Sequence, residues 1–570
     1  MNLFLIDGIG PFFRDDRRTR INWSKIPFDQ IAYDGPARQA YFRQIRLDFE
    51  EFCRRVSAIG YNAVSLDDLA HLADHEALEP QVRHRIGVLR EEFSRLFEIA
   101  GQCGLAVYIT TDIVSYTPAI KALVGNSRAR TIAFFRELVD RFLGDFPNVA
   151  GLILRIGESD GLDVTGDFRS ELHLKSPAQV NRFLKTLLPV FEQRGRQMVF
   201  RTWTVGAYQV GDLLWHRRTF RRVLQGIDSP AIIVSMKFGE SDFFRYLSLN
   251  GNFFRTALPT MIELQARREY EGCGEYPSFV GWDYVDYYRE LAQAPNLVGI
   301  SVWCQTGGWL PFRRLAFIGE GSVWTEINAH VTFKIFAEGA SVEKALRAWS
   351  GGQHIDKLTE LFQLSDEVIN ELLYIREFAS LKLFFRRVRI PPLMGVYWNS
   401  IFVNHSLRKI LGHYVRDPQA SVREARRAYS RFARMRELAA ACGLPVDDIV
   451  YMERTFEILL LAREYFLLPY DDDIRQRLKT AKRAYKKAYP KGSRPRYAVR
   501  LNFKPFRVRR RFVSWSLAIA LRQRRGYRLV DNLFTLHLLS LVYHAFKRAR
   551  PDWIPKFARK SAMGIDTIFH

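Results

Sequence analysis

Short apolar runs alternate with segments of helical period along the first 350 residues of the chain. Apolar positions recur three and four apart over 38–58, 82–103, 127–144, 175–194, 216–227 and 284–292, which predicts amphipathic helices there. Between them lie NAVSL (62–66), LAVYIT (105–110), VAGLILRI (149–156), QMVFRTW (197–203), AIIVSMKF (231–238), PTMIEL (259–264) and LVGISVW (297–303), all of strand length. Seven strands with helices between most of them, and a first strand at either NLFLI (2–6) or near residues 28–33, predict an eightfold β/α barrel. An open doubly wound sheet is the other arrangement that this order of elements allows.

The rhythm changes beyond residue 320. VWTEINAHVTFKIFAEG fits the last barrel helix, and ASVEKALRAWS (340–350) fits a further helix whose start signal is Ser341. From 352 to 465 the spacing predicts long amphipathic helices, interrupted by PPLMGVYWNS (391–400) and GLPVDD (443–448). A basic, loop-rich segment leads to a last helical pair near 511–524 and 529–548. The expected division is a catalytic barrel over 1–350 and a mostly helical basic region over 351–570.

Composition narrows the class of protein. At 570 residues and 48% hydrophobic, the chain can bury one barrel core and at least one further unit. The net charge of +24 is carried by clusters beyond residue 366, such as SVREARRAYSRFARMR and FRVRRRF, so it bears on what the tail touches rather than on the barrel. Five widely spaced cysteines in no paired-ligand pattern speak for a reducing compartment and against structural zinc. The first residues do not read as a secretory signal, and no uncharged run reaches spanning length. The expected location is cytoplasmic, with peripheral membrane contact through the basic tail.

The strand ends carry the candidate chemistry, because active sites in β/α barrels form at the carboxyl ends of the strands. Asp67 and Asp68 follow NAVSL, Asp112 follows LAVYIT, and Glu158 follows GLILRI; Arg201 and Trp203 end MVFRTW, Lys237 and Asp242 follow IIVSM, and Trp303 ends GISVW. Glu263 and Glu269 lie in MIELQARREYEG. A metal-free glycosidase needs one carboxylic acid to protonate the leaving oxygen and a carboxylate to activate water or attack the sugar. Glu158, leaving an apolar strand through a glycine, is the best acid candidate; Asp242 and Glu269 are the best bases. Each also has a plainer reading: Glu158 as a cap, Asp242 as an N-cap, Glu269 on a solvated helix face. Arg201 and Lys237 suit a sugar carboxylate or, equally, ion pairs with the acids. Asp112, Glu263, Trp203 and Trp303 complete the expected substrate pocket, the tryptophans offering flat apolar faces to a sugar ring.

The series VFRTW, MKFGESDFF and MIELQARREYEG, with FEEFCRRVSAIGYNAVSLDDL upstream, resembles the α-glucuronidases of glycoside hydrolase family 67 over about residues 40–350. The resemblance implies Glu158 as acid, Asp242 with Glu269 as base pair, Arg201 and Lys237 near the uronate carboxylate, inversion of an α-linkage, and no cofactor. GESDGLDVTGD departs from that family's glycine- and proline-rich turn after the glutamate, and the family's amino-terminal β-domain has no counterpart.

Other chemistries have less support. The chain has neither the dinucleotide fingerprint nor GxxxxGK[ST] nor HExxH, and His71, His75 and Asp74 read as surface rather than metal ligands. The tail, RRRFVSWSLAIALRQRRGYRLVDNLFTLHLLSLVYHAFKRAR, alternates apolar segments with arginines and has no nucleic-acid motif. A second class of function is therefore a degenerate barrel that binds carbohydrate, an anionic polymer or a membrane surface. Exposure of Leu533, Phe534, Leu536, Leu538 and Leu539 is the observation that favours it.

Overall fold

The computed structural model describes residues 1–8, 28, 31–157, 166–204, 208–304, 316–319, 321–385, 388–390, 396–397, 400–504, 515, 521–522 and 536–549. Eight parallel strands close into a barrel in sequence order: β1 (Leu3–Asp7), β2 (Ala63–Asp67), β3 (Ala106–Asp112), β4 (Val149–Gly157), β5 (Gln197–Thr204), β6 (Ile232–Lys237), β7 (Thr260–Gln265) and β8 (Leu297–Trp303). The closing pair is β1 with β8, with Leu3 opposite Gly299 and Leu5 opposite Ser301. The first strand is thus the NLFLI segment, and closure excludes the open doubly wound sheet. The chain is a (β/α)8 barrel followed by a largely helical remainder.

The helices are α1 (Gly35–Ile59), α2 (Pro80–Gln102), α3 (Pro118–Val124), α4 (Arg128–Asp145), α5 (Pro177–Arg194), α6 (Arg217–Leu224), α7 (Gly281–Leu291), α8 (Val323–Glu338), α9 (Val342–Ser350) and α10 (Ile355–Val368). Local sequence sets their ends. Ser176 accepts the amide of Gln179 while the Gln179 side chain bonds back to the Ser176 amide, a capping box that starts α5. Ser341 caps α9 through the Lys344 amide at 3.3 Å. Gly60, at φ +119°, ends α1 where a Cβ would lie 2.2 Å from the Phe333 ring, so only glycine fits.

Beyond α10, the helix Val446–Leu467 is buried among His405–Tyr414, Pro418–Ser430, Phe432–Ala441 and Asp472–Ala488. Among the described residues, two small sheets interrupt this region. One pairs Lys382–Phe385 with Val388–Ile390 and Leu521–Arg522; the other pairs Val396–Tyr397, Ser400–Asn404 and Ala498–Asn502. Leu521–Arg522, expected within a helix, is an edge strand, because Leu383 and Lys382 offer it a ladder that no local periodicity reveals. The helices share one continuous apolar core with the barrel's outer layer: Phe279 stacks on Phe362 at 4.4 Å, and Trp324 Nε1 donates to Asp448 at 2.7 Å.

The close approach of β4 and β5 makes the barrel sensitive to a single methyl group. A Cβ on Gly151 would lie 2.1 Å from the Gln197 carbonyl oxygen. We expect Gly151→Val to lower the unfolding free energy by about 1–3 kcal/mol or more, measured by urea denaturation.

Candidate functional site

Strand pleating decides which side chains enter the lumen, since alternate residues face opposite sides. Leu5, Ala63, Tyr108, Ile153, Val199, Ile233 and Met261 form a small apolar cluster of their own, separate from the core under the helices. They are the lumen floor. Two residues further along the same seven strands come Asp7, Ser65, Thr110, Arg155, Arg201, Ser235 and Glu263, all polar and all buried. Barrel interiors are ordinarily filled by stacked layers of branched apolar side chains. A polar layer in that position must satisfy itself by pairing.

On the β1–β4 side, Asp112 and Arg155 are register partners on adjacent strands, and the Arg155 Nε donates to the Asp112 Oδ1 at 2.7 Å. Asp67 approaches the same guanidinium at 3.8 Å. Asp68 follows directly; burial and the neighbouring Asp67 carboxylate push its carboxyl up to about 7, against the opposing pull of Arg155. This side of the mouth therefore holds a carboxyl group poised near neutrality beside one that is paired.

On the β5–β8 side, Arg201 grips Glu263 with both Nε and Nη2, at 2.9 and 2.8 Å, and Ser235 Oγ adds a third bond at 2.8 Å. Burial by itself would raise Glu263, but Arg201, Lys237 and Ser235 outweigh it and hold the carboxyl below its ordinary range. The Arg201 guanidinium also lies 4.8 Å from the Trp303 ring centre. Lys237, at the end of β6, pairs with Asp242 and places its ammonium 3.9 Å from the Trp203 ring centre and 4.5 Å from that of Phe243. Asp242 takes two more donors, the Phe243 amide at 2.8 Å and the Tyr270 hydroxyl at 2.9 Å. Glu269 is joined to Gln265 at the end of β7, accepting from its Nε2 at 3.2 Å.

The sequence-derived candidates distribute as follows. Asp112, Arg201, Trp203, Lys237, Glu263 and Trp303 stand on barrel strands, Trp203 with its ring against Lys237, and Asp242 and Glu269 sit in the loops after β6 and β7. Glu158 lies outside the described residues. Glu269 is 7% exposed, so it does not occupy a solvated helix face, and Asp242 caps no helix. Arg201 meets Glu263, and Lys237 meets Asp242, so both cations are engaged by acids in this state. Arg155, Asp7 and Tyr270 join the site without having been among the residues that the sequence pattern marks. Counting by twos from the strand ends exposes the first two; Tyr270 carries no local signal, because its partner is 28 residues away.

The histidines near β2 take other roles. His71 stacks on Phe28 at 3.5 Å, and burial pushes its imidazole down to about 3. Among the described residues one trio has metal-ligand chemistry, His75 with Glu76 and Glu137, but both glutamates are exposed and pair with Arg141.

No protein-family model matches the chain, and no curated protein matches it in sequence. Solved structures do match. A GH138 enzyme targeting pectin rhamnogalacturonan II aligns with a TM-score of 0.52 and 12% identity over 85% of this chain and 59% of that one. CpGH84B aligns with a TM-score of 0.37 and 9% identity over 77% and 70% of the two chains. An O-GlcNAc hydrolase mutant from Thermobaculum terrenum aligns with a TM-score of 0.36 and 12% identity over 78% and 85%. The GH138 likeness shows a shared barrel fold, of which this chain spans 59% of the neighbour's length.

The raised carboxyl of Asp68 has a consequence for stability. A carboxyl whose folded pKa exceeds its unfolded value destabilises the fold progressively as pH rises from that unfolded value through the folded one. Asp68→Asn should therefore raise the melting temperature at pH 8 relative to wild type, with the difference vanishing below about pH 4. Thermal melts across that pH range measure it.

Proposed function

We propose that the chain is a glycoside hydrolase that removes an α-linked uronic acid from an oligo- or polysaccharide with inversion, as in α-glucuronidases. The observation that carries this reading is the polar layer above the apolar lumen floor, where Arg155, Arg201 and Glu263 replace the packing residues of an ordinary barrel. Burying ionisable groups costs stability even when they are paired, a cost that functional sites commonly retain, and a ring of acids, cations and two tryptophans at the strand ends suits a charged sugar. The GH138 neighbour is described as targeting pectin rhamnogalacturonan II, which supports a carbohydrate substrate.

In this reading Asp242 is the general base and Glu269 its companion. Tyr270 and the Phe243 amide hold the Asp242 carboxylate in a fixed orientation toward an incoming water. Lys237, flanked by Trp203 and Phe243, faces the sugar carboxylate, while Arg201 orients Glu263 and with it the floor of the subsite. Glu158 supplies the proton to the leaving oxygen on sequence grounds. Asp112 and Trp303 contact the ring. No metal or cofactor enters the reaction.

Wild type and Asp242→Asn are to be assayed on α-linked glucuronides and galacturonides and on their neutral hexose analogues, with proton NMR following the first-formed anomer. The expected outcome is uronide cleavage with initial release of the β-anomer, and a loss of about 10²-fold or more in kcat for the variant. Initial α-anomer would remove inversion, activity confined to neutral glycosides would remove the uronate, and an unimpaired variant would remove Asp242 from the base role.

One observation favours peripheral membrane contact as a second property. The helix Leu536–Ala549 exposes Leu538, Leu541, Val542 and Phe546 along one face and ends in Lys547 and Arg548. Among the described residues no helix is long and apolar enough to cross a membrane. A surface-lying element of this kind binds anionic bilayers through apolar burial and charge together. Cosedimentation with phosphatidylserine vesicles, absent with phosphatidylcholine and lost in Leu541→Asp, is the expected result.

A further inference from the structure

Two loops carry the proposed base, and both hold backbone conformations that they do not favour alone. In the loop after β6, Tyr246 has φ +66°; in the loop after β7, Cys273 has φ +58°. A left-handed conformation at a bulky non-glycine residue persists only where surrounding contacts over-determine it. The loops brace each other: Arg245 binds Glu271 through Nε at 2.6 Å and Nη2 at 3.2 Å, Tyr270 binds Asp242, and the Phe244 and Tyr270 rings stack at 4.0 Å.

The remaining contacts come from outside the barrel. Asp366, at the end of α10, meets Arg245 Nη1 at 2.6 Å; Asn370 accepts from the Tyr246 hydroxyl at 2.6 Å; and the Tyr374 hydroxyl donates to Glu271 at 3.3 Å. Asp366 and Asn370 lie four apart on one helix face, and Tyr374 is the extended residue at which that helix ends. The last turn, Ile369–Leu373, which carries Asn370, is a π-helix, a form of helix often found at functional sites. Asn370 also donates to Asp366 at 2.8 Å, which ties these two together. Burial pushes the Tyr374 phenol well up, so it remains a donor, and Arg245 and Arg268 hold the buried Glu271 below its ordinary range, so it remains an acceptor.

We infer that the Asp366–Asn370–Tyr374 trio is a positioning element of the active site: it locks the loops after β6 and β7 together and thereby sets the Asp242–Tyr270 geometry. The helical region is then part of the catalytic unit rather than an appendage to the barrel. The kinetic arm of this inference rests on the base role proposed for Asp242; the structural arm does not.

Cys273 provides the independent readout. Its thiol is fully buried in the second loop, and so is that of Cys53 in α1, far from both loops in sequence. In the intact protein, N-ethylmaleimide labelling of each cysteine is followed by peptide mass spectrometry in wild type, Asn370→Ala and Asn370→Ala/Tyr374→Phe. The expected result is about tenfold faster labelling of Cys273 in the double variant with Cys53 unchanged, as local opening of one loop requires. On a cleaved uronide, kcat of the double variant should fall about tenfold with KM nearly constant, and the conservative Asn370→Gln should lose less than Asn370→Ala. Unchanged Cys273 labelling overturns the inference, as does a parallel rise at Cys53, which marks global destabilisation. Faster Cys273 labelling with an unchanged kcat also overturns it. If wild type cleaves no uronide, the proposed function fails by itself and the labelling alone decides the role of the trio.

Discussion

The bidentate pair between Arg201 and Glu263 is the interaction on which the interior of this barrel rests. Both side chains are almost wholly enclosed, and both arrive there because a strand places every second residue in the lumen. Removing one partner would strand the other's charge at a cost of about 3–5 kcal/mol. The same constraint recurs around the ring. Arg155 and Arg201 are register neighbours on β4 and β5, a like-charge contact that is tolerable because Asp112 draws one guanidinium to its own side and Glu263 draws the other. The lumen is thereby divided into two electrostatic sectors, with Asp67 and Asp68 joining the Arg155 side, and Lys237, Asp242 and Glu269 joining the other.

The two sectors have different architectures. The acids of the first stand on strands or immediately after one, where the barrel itself fixes them. Asp242 and Glu269 stand in loops, and loops need outside support to be rigid. That support runs from α10 through Arg245, Tyr246 and Glu271, and a second line runs from the chain near residue 497, where the Tyr497 hydroxyl donates to the Gly272 carbonyl at 2.5 Å and Arg494 reaches Glu275 at 3.4 Å. Long-range contacts of this kind join residues more than 200 positions apart.

The uneven charge of the chain also finds partial resolution in the helical region. Arg426, Arg431, Arg434 and Arg436 pair with Glu464, Glu367, Glu360 and Glu453 on neighbouring helices. Such pairs are individually weak at a surface, but they convert part of the excess basic sequence into helix–helix contacts, leaving the remainder for the outer face and the last helix.

Much was legible in the sequence because it depends on local periodicity. The apolar runs from NAVSL to LVGISVW became strands within a residue or two of their expected bounds, and Ser341 and the 175–194 pattern marked helices, since caps and periods act over a single turn or pleat. The strand-end positions of Asp112, Arg201, Lys237 and Glu263 followed from the same reading. What the sequence could not determine was partnership. That Arg201 meets Glu263, that Tyr270 holds Asp242, and that Leu521 lies beside Leu383 are results of closure and register, which bring together residues with no signal of each other along the chain. Local propensity chose the elements; the closed barrel and the helices packed on it chose which charges would face one another, because only burial in a shared low-dielectric space makes one pairing favourable over every other.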